Sequence, residues 1–339
     1  MSPYRKTVDR RAFLKLAGVA TAGAALPLVS PAIGLARLDK RLVAAQETRM
    51  LMGTLVSVTV LDPSPTRAQQ ALADAFARMA SLTPLFDRHS SSGAVYLLNR
   101  EGRLAYAPPL LSRLLALCQR AGEITGGAFD IGVAPLIDLT RQSFAASGRP
   151  PARAQLQNAL RRLGRVNLSQ GRVRLVGQGA AITLDGVAKG FIVDQGMEAV
   201  RRAGARHAMI NAGGDLAVMG RPGAGRTWRV GVADPQHPTR AGHTLSLRSG
   251  ALATSGNYQV FFDRQRLYHH IVDPHTGRSP RSDLSASVRA PSALWADAMS
   301  TACFVMKPRQ AARFLKSRPE LEGMILTRHG QRYQSQGFG

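Results

Sequence analysis

Cysteine is nearly missing from this chain of 339 residues: Cys118 and Cys303 are the only two, and each falls within an apolar helical run. A disulfide-stapled scaffold is thereby excluded, and no paired Cys/His spacing of the kind that holds zinc occurs. Both thiols are expected to be buried packing residues. Acidic residues are also scarce, 21 Asp and Glu against 45 Lys and Arg, for a net charge of +24. Such an excess raises the question of nucleic acid. The arginines are scattered, however (Arg153, Arg161, Arg162, Arg201, Arg202, Arg281), and no basic stripe interleaved with aromatics appears. A solvated basic surface is expected, and nucleic acid is not expected as a partner. Internal repeats and low-complexity tracts are lacking beyond the N-terminus, and the composition is that of a folded, soluble protein able to bury a large core.

The N-terminus reads as an address. Arg10-Arg11-Ala12-Phe13-Leu14-Lys15 is a twin-arginine signature, followed by the apolar, alanine-rich run Leu16 to Val29 and small residues at Gly34 and Ala36. Residues 1–36 are read as a twin-arginine signal peptide. Pro27 and Pro31 interrupt the apolar stretch, which argues against a spanning helix of about 20 residues, and a retained anchor stands as the alternative. No cysteine follows the run, so a lipoprotein is not expected. The expected location is the periplasm, reached through the twin-arginine export machinery, with the protein soluble or loosely membrane-associated. The signal carries a net +4 of the charge, leaving about +20.

Residues 37–49 are read as a polar linker and 50–339 as one folded domain. Apolar positions at helical spacing predict helices over Thr66 to Leu85, from Pro108-Pro109 to an end at Gly126-Gly127, and over Pro151 to Leu163, Ala188 to Ala203 and Ala293 to Met306. Strands are expected over Leu51 to Leu61, Ala208 to Asn211, Trp228 to Ala233, His243 to Leu247, Tyr258 to Phe262 and Leu267 to Val272. Asp263 to Arg266 would be the turn between the last two, and Ser143 to Pro151 a loop. Helices clustered early and hairpins late argue for an α+β fold of mixed or antiparallel sheets flanked by helices.

Asp297 and Thr301 lie four residues apart on one helix face. A carboxylate beside a hydroxyl, downstream of a histidine on a strand end, suits a hard cation such as Mg²⁺ better than zinc. Lys189 stands between Gly186 and Gly190 at a helix start, where free amides and a lysine favour an anion, although a surface lysine at a tight turn reads equally well. Gly126-Gly127 ahead of Ala128-Phe129-Asp130 reads first as a helix terminator. His270, one of eight histidines, has His269 on the opposite strand face.

Taken in order, these segments resemble one family. Met52-Gly53-Thr54, TGGAFDIGVAPLIDL (Thr125 to Leu139), TLDGVAKGFIVD (Thr183 to Asp194), NAGGDL (Asn211 to Leu216), VGVADP (Val230 to Pro235), LATSGNY (Leu252 to Tyr258), HHIVDPHTG (His269 to Gly277) and ADAMSTA (Ala296 to Ala302) resemble the ApbE family of FAD:protein FMN transferases over roughly Met50 to the C-terminus. The resemblance implies a two-lobed fold with its active site between the lobes. It also implies transfer of FMN from FAD to a Thr or Ser hydroxyl of an acceptor flavoprotein, a subunit of a respiratory or ion-pumping redox complex, with release of AMP. By the same resemblance Met52, Ala128, Phe129, Asp130, Thr183, Lys189 and Ile271 contact the cofactor. Gly186 (through its carbonyl), Asp297 and Thr301 hold Mg²⁺, with Mn²⁺ possible, and His270 is the catalytic base.

Two departures stand out. Where the family commonly has Asp-Leu-Gly-Gly this chain has Thr183-Leu184-Asp185-Gly186, so Thr183 takes the position of a cofactor-contacting aspartate. Within Arg88 to Asn99 the family's glutamate is Ala94 and its aromatic is His89, while Leu98 and Asn99 survive. An FAD pyrophosphatase giving FMN and AMP, and a non-catalytic periplasmic flavin-binding maturation factor, are the competing expectations.

Overall fold

The computed structural model describes residues 41–338 apart from 224, 235, 236, 258, 259 and 282. The signal peptide expected over 1–36 lies outside the described residues. In chain order the strands are β1 (Val43–Leu51), β2 (Thr54–Asp62), β3 (Arg103–Leu104), β4 (Arg165–Ser169), β5 (Arg172–Val176), β6 (His207–Ala212), β7 (Asp215–Met219), β8 (Trp228–Asp234), β9 (His237–Leu247), β10 (Gly250–Gly256), β11 (Asp283–Ala290), β12 (Glu322–Thr327) and β13 (Arg332–Gln334). The helices are α1 (Pro65–Phe86), α2 (Ala94–Glu101), α3 (Pro109–Ile124), α4 (Ala134–Ser147), α5 (Arg153–Leu160), α6 (Ala188–Arg202), α7 (Ala293–Val305) and α8 (Pro308–Lys316).

Eight strands form one antiparallel sheet in the order β1-β2-β6-β7-β10-β11-β12-β13, and β3-β5-β4 and β8-β9 form two smaller sheets. The large sheet is covered on both faces, and its alternation shows how. Ala208, Ile210, Ala217, Ala251, Ala253 and Ala286 join the cluster shared with α1, α6 and α7, whereas Met209, Leu216, Val218 and Leu252 join Trp228, Val230 and Leu245 of the β8–β9 hairpin. Alanine on the helix side lets the helices lie close. Where α1 crosses α6, Phe86 meets Phe191 edge-on with ring centroids 5.4 Å apart. The same cluster continues through Phe129 and Leu184 to Val173 and Leu175 of the small sheet, so the two parts of the molecule share one core. Among the described residues no helix is long and apolar enough to cross a membrane.

Three expectations are corrected. Residues 37–49 do not form a linker throughout, because β1 begins at Val43 and pairs with β2 from Val43↔Asp62 to Leu51↔Thr54. The expected strands around the 263–266 turn reduce, among the described residues, to a single bridge between Phe261 and His269. There, a side chain takes the amide the next rung would use: Asp263 Oδ1 accepts from the Tyr268 N–H at 2.7 Å. The loop expected from Ser143 starts only at Gly148, the left-handed cap of α4.

Candidate active site

Two helices that cap one another form the floor of the site. Asp194 on α6 accepts hydrogen bonds from the Ala293 and Leu294 N–H groups, 2.8 and 2.9 Å, at the first turn of α7. Asp297 on α7 returns the favour to α6, its Oδ2 accepting from the Gly190 N–H at 3.1 Å. These amides have no partner inside their own helices, so each carboxylate satisfies donors that would otherwise be orphaned. Only glycine permits the crossing: a Cβ on Gly190 would lie 2.2 Å from the Ala293 carbonyl oxygen.

Asp297 is buried at 3 % exposure. Burial and the neighbouring Asp215 carboxylate push its pKa up to about 7, against the opposing pull of Lys189 and the Gly190 N–H. Lys189, in the first turn of α6, sets its Nζ 2.7 Å from Asp215 Oδ2 and 3.9 Å from Asp297 Oδ2. Burial opposes its charge, but the two carboxylates outweigh it and hold the ammonium well above its ordinary pKa.

The Thr301 hydroxyl lies one turn beyond Asp297, donates to the Gly186 carbonyl at 3.5 Å and sits 3.2 Å from Ser255 Oγ. Carboxylate, hydroxyl and carbonyl make an all-oxygen donor set, which fits a hard divalent cation of the Mg²⁺ or Mn²⁺ type. Among the described residues no three His, Cys, Asp or Glu side chains gather to hold a metal by themselves, so the hydroxyl and carbonyl are essential to that fit.

His270 faces these groups across the cleft. Its Nδ1 lies 3.1 Å from the Val260 carbonyl oxygen, which can only accept. The proton of the neutral ring is thereby fixed on Nδ1, leaving the lone pair on Nε2. Burial lowers its pKa, against the Val260 carbonyl and Asp185, so the ring is neutral near physiological pH. His269 is fully buried, with its Nε2 3.0 Å from the Pro280 carbonyl and its ring edge-on to Phe304.

The remaining wall comes from the segment after α3. Gly126 and Gly127 do terminate that helix, both with positive φ and with the Gly127 N–H bonded to the Gly122 carbonyl at 2.8 Å. The chain then runs directly into the cleft, so terminator and wall are the same feature. Ala128, Phe129 and Asp130 line it together with Thr183, Gly186 and Ile271. Phe129 is fixed by its N–H bond to Thr125 Oγ1 at 3.1 Å, and Asp130 Oδ1 caps the Gly132 N–H at 2.7 Å, with burial raising its pKa. Thr183 donates its N–H to the Ile131 carbonyl, and its Oγ1 accepts from the Asp185 N–H.

Of the residues picked out in the sequence, Ala128, Phe129, Asp130, Thr183, Gly186, Lys189, His270, Ile271, Asp297 and Thr301 meet in this one cleft. Met52 is not among its lining residues. It occupies the two-residue turn between β1 and β2, with φ of 53°, and packs half-buried on the main core. The reading of the residues missed Asp215 and Ser255. Asp215 was hidden because an aspartate after Gly213-Gly214 looks like a turn residue; its one signal was that β7 otherwise reads as wholly apolar.

Taken together, an ammonium, a buried carboxylate and an imidazole with a free nitrogen surround one open cleft, an arrangement suited to chemistry on a phosphorylated substrate. Residues 52–325 match the model of the ApbE family. A Treponema pallidum (strain Nichols) protein named FAD:protein FMN transferase is 30% identical over 303 residues, covering 82% of this chain and 83% of that one. A Rhodobacter capsulatus protein of the same name is 30% identical over 313 residues, covering 89% of this chain and 57% of that one. The crystal structure of the ApbE protein from Thermotoga maritima is similar with a TM-score of 0.78 at 27% identity, over 87% of this chain and 98% of that one. The chain belongs to the ApbE family.

Proposed function

We propose that this protein is an FAD:protein FMN transferase that moves FMN from FAD onto a threonine or serine hydroxyl of an acceptor protein and releases AMP. The observation that carries the reading is the meeting of Lys189, Asp297, Thr301 and the free Nε2 of His270 in one cleft. The acceptor oxygen forms a bond to the FMN phosphorus as the bond from that phosphorus to the AMP oxygen breaks. His270 Nε2 takes the hydroxyl proton, a contribution of about 10²–10⁴ in rate for a placed general base. Lys189 offsets charge on the phosphates, and Phe129 and Ile271 supply apolar wall for a flavin ring. Asp297, Thr301 and the Gly186 carbonyl would hold Mg²⁺ or Mn²⁺, which when bound supplies positive charge to the pyrophosphate.

The twin-arginine segment supports export, which puts the reaction in the periplasm and its acceptor among the redox subunits exposed there. The test is incubation of the protein with FAD, Mg²⁺ and a threonine-bearing acceptor domain, with and without chelator. An acceptor heavier by one FMN, only without chelator, is the expected result. AMP and free FMN with unmodified acceptor would mean a pyrophosphatase, and bound FAD with no AMP a binding or maturation factor.

A further inference from the structure

The Lys189 ammonium sits between two carboxylates, 2.7 Å from Asp215 and 3.9 Å from Asp297, and both carboxylates are buried. A lysine ammonium on a four-carbon stem swings freely, so which acid it joins is decided by what is in reach. A cation placed at Asp297 would meet Lys189 as a charge of the same sign competing for the same oxygens. Asp215 is itself held in place. It opens β7 directly after the Gly213-Gly214 turn, where Asn211 Oδ1 accepts from the Gly214 N–H and Ala212 pairs with Asp215. Asp185 also attracts Lys189, but it is exposed to solvent and its pull is the weakest of the three.

We infer that Asp215 is a positioning residue that tethers the Lys189 ammonium away from Asp297 and so keeps that carboxylate open to a divalent cation. The inference rests on the cation reading of Asp297, Thr301 and Gly186 given above. Without the tether the ammonium closes the gap of 3.9 Å and replaces the cation as the partner of Asp297. Asp215 thus acts through Lys189.

The experiment is a double-mutant cycle read as Mn²⁺ affinity of the FAD-free full chain, followed by the electron paramagnetic resonance of free Mn²⁺. It compares the unaltered protein, Asp215→Asn, Lys189→Met and the pair, with circular dichroism melting to confirm folding. Removing a nearby negative charge weakens Mn²⁺ binding in any background, so the coupling between the two changes is the informative quantity. The loss caused by Asp215→Asn is expected to be at least about tenfold larger with Lys189 present than in the Lys189→Met background. Equal losses in both backgrounds overturn the tether while leaving the cation site standing. Failure of the unaltered protein to bind Mn²⁺ overturns both. Should Asp215→Asn fail to fold, Asp215→Ser takes its place in the same cycle: a loss larger with Lys189 present is expected, and equal losses in both backgrounds overturn the inference.

Discussion

The side-chain amide of Asn99 spans both backbone groups of Ile182, donating to its carbonyl at 2.8 Å and accepting from its N–H at 2.8 Å. Ile182 is buried, and the next residue, Thr183, is bonded in turn to the Ile131 carbonyl at 2.8 Å. The strand-like segment that enters the cleft is therefore suspended between α2 and the wall after α3. Asn99→Leu leaves an N–H and a carbonyl buried without partners. It should cost about 2–4 kcal/mol of stability and weaken FAD binding. Urea unfolding and fluorescence titration with FAD check this, and unchanged values in both would remove Asn99 from the site's support.

Gly190 and Gly196 both lie on α6 at close approaches, yet they should respond differently to alanine. At Gly190 the added Cβ meets the Ala293 backbone at 2.2 and 2.6 Å, which can move only if α7 moves. At Gly196 it meets the flexible thioether of Met79 at 2.9 Å. Gly190→Ala should lose about 3 kcal/mol or more, with Mn²⁺ affinity falling because Asp297 is carried along. Gly196→Ala should lose less and leave Mn²⁺ binding in place. Thermal melts and Mn²⁺ titration of the two variants give the comparison, and equal behaviour would count against the crossing at Gly190 as a determinant of the site.

Legibility of the sequence followed how much each element depended on local pattern. The helix at Pro65–Phe86 carries buried Ala68, Ala71, Leu72, Ala75, Phe76 and Met79 at helical spacing, and Asp297 and Thr301 declare their common face by their spacing alone. β1 carried no such sign. As an edge strand it buries only Ala45, so its pairing comes from backbone bonds to β2 and its polar side chains read as linker. The stretch around His269 failed for the opposite reason, because its alternation is real but Asp263 intercepts the Tyr268 amide that would extend the ladder. The Lys189–Asp215 pair joins residues far apart in sequence, and nothing local announces it.

His270 should be needed for transfer and not for binding. His270→Ala is expected to retain FAD while slowing single-turnover transfer about 10²–10⁴-fold. Because burial lowers its pKa, the acid limb of the transfer rate should fall below the usual imidazole value of about 6.5, with activity lost as pH drops through that limb. A normal rate in the variant would place the base elsewhere.

His269 predicts a different pH effect, on stability. Burial holds its pKa at about 4, so between about 4 and 6.5 the unfolded chain binds more protons than the folded one. Stability should then rise with pH across that window, and up to about 3 kcal/mol should be lost on acidification from above it. His269→Gln should flatten this slope in urea unfolding at stepped pH. An unchanged slope would mean that His269 is not the group titrating.

The most direct test of the account is the stoichiometry of AMP release. With FAD, Mg²⁺ and an acceptor domain, the unaltered protein should release one AMP for each FMN attached, and Asp297→Ala should release none while remaining folded. AMP released in excess with the acceptor unmodified, or full transfer by Asp297→Ala, would contradict the chemistry assigned to this cleft.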